Sequence, residues 1–173
     1  MTRNGFALLM GLTVAMGLSD PAMARDKALE TVDVAAIASA SLRTLSTQQV
    51  RALTAEQVGA LTTAQVHGLG TAQVAALTTA QVDKLTTAQV GALTSTQVKA
   101  IETSDLVKLT ADQLAAISIA AVSGLTTAQV VALETSDVAA LGTAHVSALT
   151  TAQVNVLETA DIAAMSTSQV TAL

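Results

Sequence analysis

From Leu29 onward the chain sets a large aliphatic residue at every eighth position. The row runs Leu29, Ile37, Leu45, Leu53 and on in steps of eight to Leu157 and Met165. Five residues after each comes a second aliphatic, Val, Leu or Ile, and the rest of the octad is polar or small. The consensus is L-T-T-A-Q-V-x-A, numbered here one to eight. Eighteen octads fill residues 29–172 without an insertion, and Leu173 opens a nineteenth. Such self-similarity is the signature of a repeat architecture. Positions 1 and 6 read as core. Position 7 holds Arg43, Gly59, His67, Asp83, Lys99, Ser147 and Asn155 among others, and reads as solvent-facing. Alanines at positions 4 and 8 suit a close approach of neighbouring backbones.

Three local structures compete for this pattern. In one continuous helix, eight residues advance about 80° beyond two turns, so the Leu row would wind around the axis and give no buried face. In a β-solenoid the period of two sends positions 1 and 6 to opposite faces, and Ala-rich octads with few glycines lack strand and turn chemistry. A fresh short helix in each octad fits better. Thr at position 2 is a helix N-cap, and Gln at position 5 is then N3, the two halves of a capping box. Leu at position 1 and Val at position 6 are N′ and N4, the partners of a hydrophobic staple. The sequence therefore predicts an all-α solenoid of very short helices, one per octad, each of about six residues. A β-solenoid is the alternative. Helices this short persist only by stacking on neighbouring repeats.

Charge placement supports the helical reading. Ten of the eleven acidic residues in the repeats sit at positions 2, 4 or 5, Asp83 being the exception. All five bases, Arg43, Arg51, Lys84, Lys99 and Lys108, sit at positions 7 or 8. Acids early and bases late suit a helix dipole, by about 0.3–1 kcal/mol each. Four octads carry Glu-Thr-x-Asp at positions 2–5. Glu is a poor N-cap, which leaves open whether Thr at position 3 takes over that role.

Composition narrows the function. Hydrophobic residues make up 51% of the chain, yet Phe6 is the only aromatic, so the core is built without the large rings that dominate most interiors. There is no cysteine, hence no disulfide framework, thiolate metal site or cysteine nucleophile. A net charge of −5 argues against nucleic acid as a partner.

The first 24 residues read as an export signal: a short basic start, the 13-residue apolar stretch FALLMGLTVAMGL, and Ala22-Met23-Ala24 as a small-x-small cleavage site. Cleavage after Ala24 leaves a lead-in at 25–28 and the array at 29–173, with the net charge still −5. An uncleaved anchor helix is the alternative. The expected location is periplasmic or extracellular, at the cell surface, with no membrane span after cleavage.

Chemistry is sparse. His67 lies at position 7 and His145 at position 5, which reads as two unrelated surface histidines. No motif joins nucleophile, base and orienting group. Gly68 and Gly70 do not form a phosphate-cradling loop. No enzyme and no cofactor are expected. The acidic octads Glu30/Asp33, Glu102/Asp105, Glu134/Asp137 and Glu158/Asp161 are weak metal candidates, since calcium needs six to eight oxygens. They lie nine, four and three octads apart and need not share a column. A Ser or Thr at position 2 or 3 of every octad offers a hydroxyl array toward ice or a carbohydrate, unless the hydroxyls are occupied as caps.

The array Leu29 to Leu173 resembles the tandem L-T-T-A-Q-V-x-A octapeptide arrays of bacterial secreted and cell-surface proteins, some of them adhesin-like. The resemblance implies an exported, non-enzymatic structural or protein-interaction module: a spacer, adhesin segment or assembly scaffold. The alternative is a surface binder of calcium, glycan or ice. Locally, LTTAQVVAL at 125–133 is similar to the first-helix opening of TAL effector repeats. The period is eight rather than thirty-four and the base-reading loop is missing, so the likeness is one of helix-start chemistry. Solenoids need polar capping repeats, whereas STSQVTAL ends on Leu173. Either this end stacks on another molecule, by end-to-end self-association or on other surface proteins, or the chain is part of a longer one.

Overall fold

The computed structural model describes residues 31–173, with side chains from Val34 onward. The expected signal segment and its cleavage site lie outside the described residues. The described chain is helical throughout, with no strand, and the β-solenoid alternative falls. The helices are α1 (Thr31–Ala36), α2 (Ser39–Leu42), α3 (Thr47–Arg51), α4 (Ala55–Gly59), α5 (Thr63–Gly68), α6 (Thr71–Ala75), α7 (Thr79–Asp83), α8 (Thr87–Gly91) and α9 (Ser95–Ala100). They continue as α10 (Thr103–Leu106), α11 (Ala111–Ala116), α12 (Ile119–Val122), α13 (Thr127–Ala132), α14 (Thr135–Ala140), α15 (Thr143–Ser147), α16 (Thr151–Val154), α17 (Thr159–Ala164) and α18 (Thr167–Ala172).

Every one of these helices starts at octad position 3. Position 2 is the N-cap, in extended backbone such as Thr62 at φ −71°, ψ 158°. Ten octads close a full capping box, from Ser46/Gln49 to Ser166/Gln169. In Thr62/Gln65 the cap hydroxyl accepts the Gln65 amide at 3.2 Å, and Gln65 Oε1 accepts the Thr62 amide at 2.7 Å. The Glu-Thr-x-Asp octads keep the same register. Glu102, Glu134 and Glu158 occupy the N-cap without a side-chain cap bond, so Thr at position 3 does not take over. Asp137 and Asp161 each supply only the return arm, accepting the Glu134 and Glu158 amides.

The helices end with little need for glycine. The position-1 amide donates back to the position-6 carbonyl three residues earlier, as Leu93 does to Val90 at 3.1 Å. The chain then turns through ordinary αR or extended conformations, such as Ala92 at φ −84°, ψ −8°. No left-handed residue is required, and so an alanine-rich octad repeats without a Gly corner.

Packing follows one rule: each helix lies against the helix three further along, α1 on α4, α2 on α5, and so on to α15 on α18. Three octads therefore make one superhelical turn, and the eighteen helices make six layers around three walls. At the usual helix spacing of about 8–10 Å, six layers form a rod roughly 50–60 Å long. The core runs along its axis. Val58, Val90 and Val98 are fully buried, as are the leucines of position 1 to within a few per cent. Burying one such side chain stabilises by about 1.5–3 kcal/mol. Position 8 is half-buried where it meets the layer below. Position 4 is exposed in every described octad from Ala40 on, so its alanines face water and mediate no backbone approach. Among the described residues no helix is long and apolar enough to cross a membrane.

Candidate interaction surfaces

The glutamine of position 5 holds the layers together. Its Oε1 is spent on its own N-cap, which turns its Nε2 toward the layer below. There the ends of short helices leave carbonyls that nothing within the helix can satisfy. Gln81 Nε2 donates to Val50 O at 2.9 Å and Leu53 O at 2.7 Å; Gln153 Nε2 does the same to Val122 O and Leu125 O. One side chain thus caps the start of one helix and the end of another 28–31 residues earlier. These glutamines are buried, Gln81 and Gln153 to 1% exposure. The capping box accepts Glu as readily as Gln, and the helix dipole favours Glu near an N-terminus. Yet eleven octads use Gln at position 5 and none uses Glu. That bias is the signal in the sequence for the second role.

His145 is one of the exceptions, and it corrects an expectation. It is half-buried rather than a surface residue, and its Nε2 donates to Ile117 O at 2.8 Å in place of a glutamine. Its Nδ1 is buried with no partner among the described residues. His67 is exposed, and its Nδ1 donates to Ala92 O at 2.9 Å in the layer above.

The six acidic candidates separate by depth. Glu102, Glu134 and Glu158 are exposed, and Asp105, Asp137 and Asp161 are buried. Asp105 accepts the hydroxyl of Thr79 from the layer below. Burial holds the Asp137 carboxyl above its ordinary value; the Glu134 amide lowers it and the Glu134 charge raises it further. With three octads per turn, Glu134/Asp137 and Glu158/Asp161 fall on one wall in adjacent layers, and Glu102/Asp105 on another. Glu30 and the Asp33 side chain lie outside the description. Among the described residues no three acidic or histidine side chains converge on a point where a metal ion would sit.

The same register sorts charge along the walls. The wall of α2, α5, α8, α11, α14 and α17 carries Arg43 and His67 near its start. Its last three helices hold Asp112, Glu134, Asp137, Glu158 and Asp161 with no base. The wall of α3, α6, α9, α12, α15 and α18 carries Arg51 and Lys99 and no acid. On it an open hollow is lined by Ser95, Thr96, Lys99, Ser123, Gly124 and Thr126.

The hydroxyls divide by position. Those of position 2 accept N3 amides in the ten complete boxes, whereas Thr63, Thr87 and Thr159 at position 3 stay exposed along one wall. Side chains at position 7 are exposed or half-buried in every described octad, as the sequence implied.

The chain matches the family model of the ALTTAQ repeat at residues 27–63, 59–87, 75–100, 98–135 and 130–167. No curated protein and no solved structure matches it.

Proposed function

The chain belongs to the ALTTAQ repeat family, and from that premise we propose that it is an exported, non-enzymatic structural or protein-interaction module, a spacer or scaffold segment at the cell surface. The observation that carries the reading is the division of labour within each octad. Positions 1, 5 and 6 are spent on the core and on the joints between layers, while positions 4 and 7 face outward and vary. A scaffold that fixes its interior and frees its surface presents side chains at set heights along a rod. The amino-terminal 24 residues support export.

The rod is tested by distance. Ala40 and Ala160 are exposed, lie five layers apart on one wall, and can be changed to Cys in a chain with no other thiol. Dyes on Ala40→Cys/Ala160→Cys are expected to report a single separation of roughly 40–50 Å, five spacings of about 8–10 Å. A short or broad distribution rejects the spacer. Export is tested by N-terminal sequencing of the secreted chain, where an intact Met1 overturns it.

A second reading rests on the exposed position-3 hydroxyls: a polar wall that binds calcium, a glycan or ice. Calcium calorimetry and thermal hysteresis separate the two, since the scaffold gives neither heat nor hysteresis.

A further inference from the structure

The inference rests on the scaffold reading and names its partner. Within the chain every layer is covered by the next, and the face at α16–α18 is the same surface with no layer above it. Val170 holds position 6, buried in most octads, and is 44% exposed here; Leu173 beside it is 45% exposed. Val154 and Ile162 of the same layer are half-buried. The carbonyls of Ile162 and Met165, counterparts of those capped lower down, have no glutamine above them among the described residues.

The opposite end carries the complement. Gln49 of α3 makes both arms of its capping box with Ser46, at 2.8 Å and 3.3 Å. Its Nε2 has no acceptor among the described residues, and the side chain is half-buried where its counterparts above are buried. Ala52 at position 8 is likewise exposed, whereas Ala60, Ala76 and Ala92 are half-buried against the layer below.

We propose that the α16–α18 face takes the α1–α3 face of a second copy of this chain, head to tail. The fit follows the interface already repeated through the molecule. Eighteen octads at three per turn make a whole number of turns, so an incoming copy continues the superhelix with its walls in line. Stacked in that register, Gln49 of the incoming copy lies 31 and 28 positions beyond Ile162 and Met165, the separations every bridging glutamine spans. Its α2, with Arg43 at the end, settles on the wall of α17, which carries Glu158 and Asp161. The contact is heterologous, and repeated it gives a filament rather than a closed dimer.

Light scattering after size exclusion, across a hundredfold range of concentration, is the test. The purified chain is expected to grow from one chain's mass to two or more. Val170→Glu spoils one face and Gln49→Glu the other, and both residues are exposed enough for the helical spectrum to survive. Each variant alone is expected to stay monomeric. Mixed, they are expected to form a 1:1 pair that grows no further, since each retains the face the other lost. Thr171→Glu, exposed at position 7 on the side of the rod, leaves association intact. A helical monomer at every concentration overturns the proposal. So does growth that survives both substitutions, which would come from another segment such as the apolar stretch 6–18. Loss in Val170→Glu with unchanged growth in Gln49→Glu also overturns it, because it marks a tail-to-tail pair. The dye separation from Ala40 to Ala160 is read within one chain at dilution, so a failed association leaves the scaffold reading standing.

Discussion

Gln89 shows how much one residue type carries. Its Oε1 accepts the Thr86 amide at 2.7 Å, and its Nε2 reaches Val58 O, Gly59 O and Leu61 O, the last at 2.6 Å. Each net hydrogen bond is worth about 1 kcal/mol, and carbonyls left buried and unpaired add to the loss. Gln89→Ala is therefore expected to cost about 2–4 kcal/mol in urea unfolding. Gln89→Glu keeps the shape and the N-cap arm but aims an oxygen at three carbonyls. At pH 7 it is expected to cost more than the alanine, and to recover on acidification as the carboxyl protonates; equal losses at both pH values would remove the bridge from the account. Asp137 is the natural relative of that variant. Its carboxyl is buried at the same position with a raised pKa. The folded chain thus holds the proton to higher pH than the unfolded chain, whose reference is about 3.9. The stability this confers is full below the unfolded value and is lost as pH rises through the folded one. Asp137→Asn is expected to raise the melting temperature at pH 7 and to match the parent below about pH 4, near that reference; a constant difference across pH excludes the titration as its cause.

At the scale of the helix, what could be read in advance was what is local. N-cap, N3, N′ and N4 lie within six residues, so the start of every helix was legible, down to its first residue. The Glu-Thr-x-Asp octads stayed open because Glu caps poorly by itself; their register is held by neighbours rather than by the cap. The joints were not legible, because a glutamine and its carbonyls lie 28–31 residues apart and meet only once the number of octads per turn is known. His145 was misplaced for the same reason: its partner Ile117 O belongs to another layer. Close packing between layers has its own test in α12. A Cβ on Gly124 would stand 2.3 Å from Ser95 O, a backbone atom that cannot swing away. Gly124→Ala is expected to destabilise by about 1–3 kcal/mol, the usual penalty of overpacking. This is the reverse of the gain an alanine gives at an unhindered glycine, even though alanine is the commonest residue at position 8. Thermal unfolding beside Gly70→Ala, where the nearest atom is Gln73 Oε1 at 3.6 Å, isolates the clash from the loss of a glycine.

At the scale of the molecule, eight residues set the helix and twenty-four set the turn, and the two lengths make different deletions informative. Removing Leu69–Ala92 takes out one whole turn, α6 to α8. The helices on either side meet in their original phase: α9 falls on α5's successor positions with the same wall beneath it, and the acidic stretch of α11, α14 and α17 remains on one wall with Arg43. Stability in a stacked array is a sum over units and their nearest neighbours. The shortened chain is expected to fold, to lose stability in proportion to one layer, and to shorten by about 8–10 Å in solution scattering, one helix spacing. Removing a single octad, Leu85–Ala92, leaves the joints satisfied, because any octad's carbonyls serve any glutamine. It rotates everything after it by one wall, however, which moves Glu134 and Glu158 from Arg43's wall to the next. Both deletions are expected to remain helical and monodisperse at low concentration. They differ in which side of the rod carries the negative charge, and a pair of dyes at Ala40 and Ala160 reads that difference: the whole-turn deletion keeps them on one wall, and the single-octad deletion carries them onto two. If both deletions gave the same separation, the period of three octads per turn would be wrong, and with it the sorting of charge that depends on it.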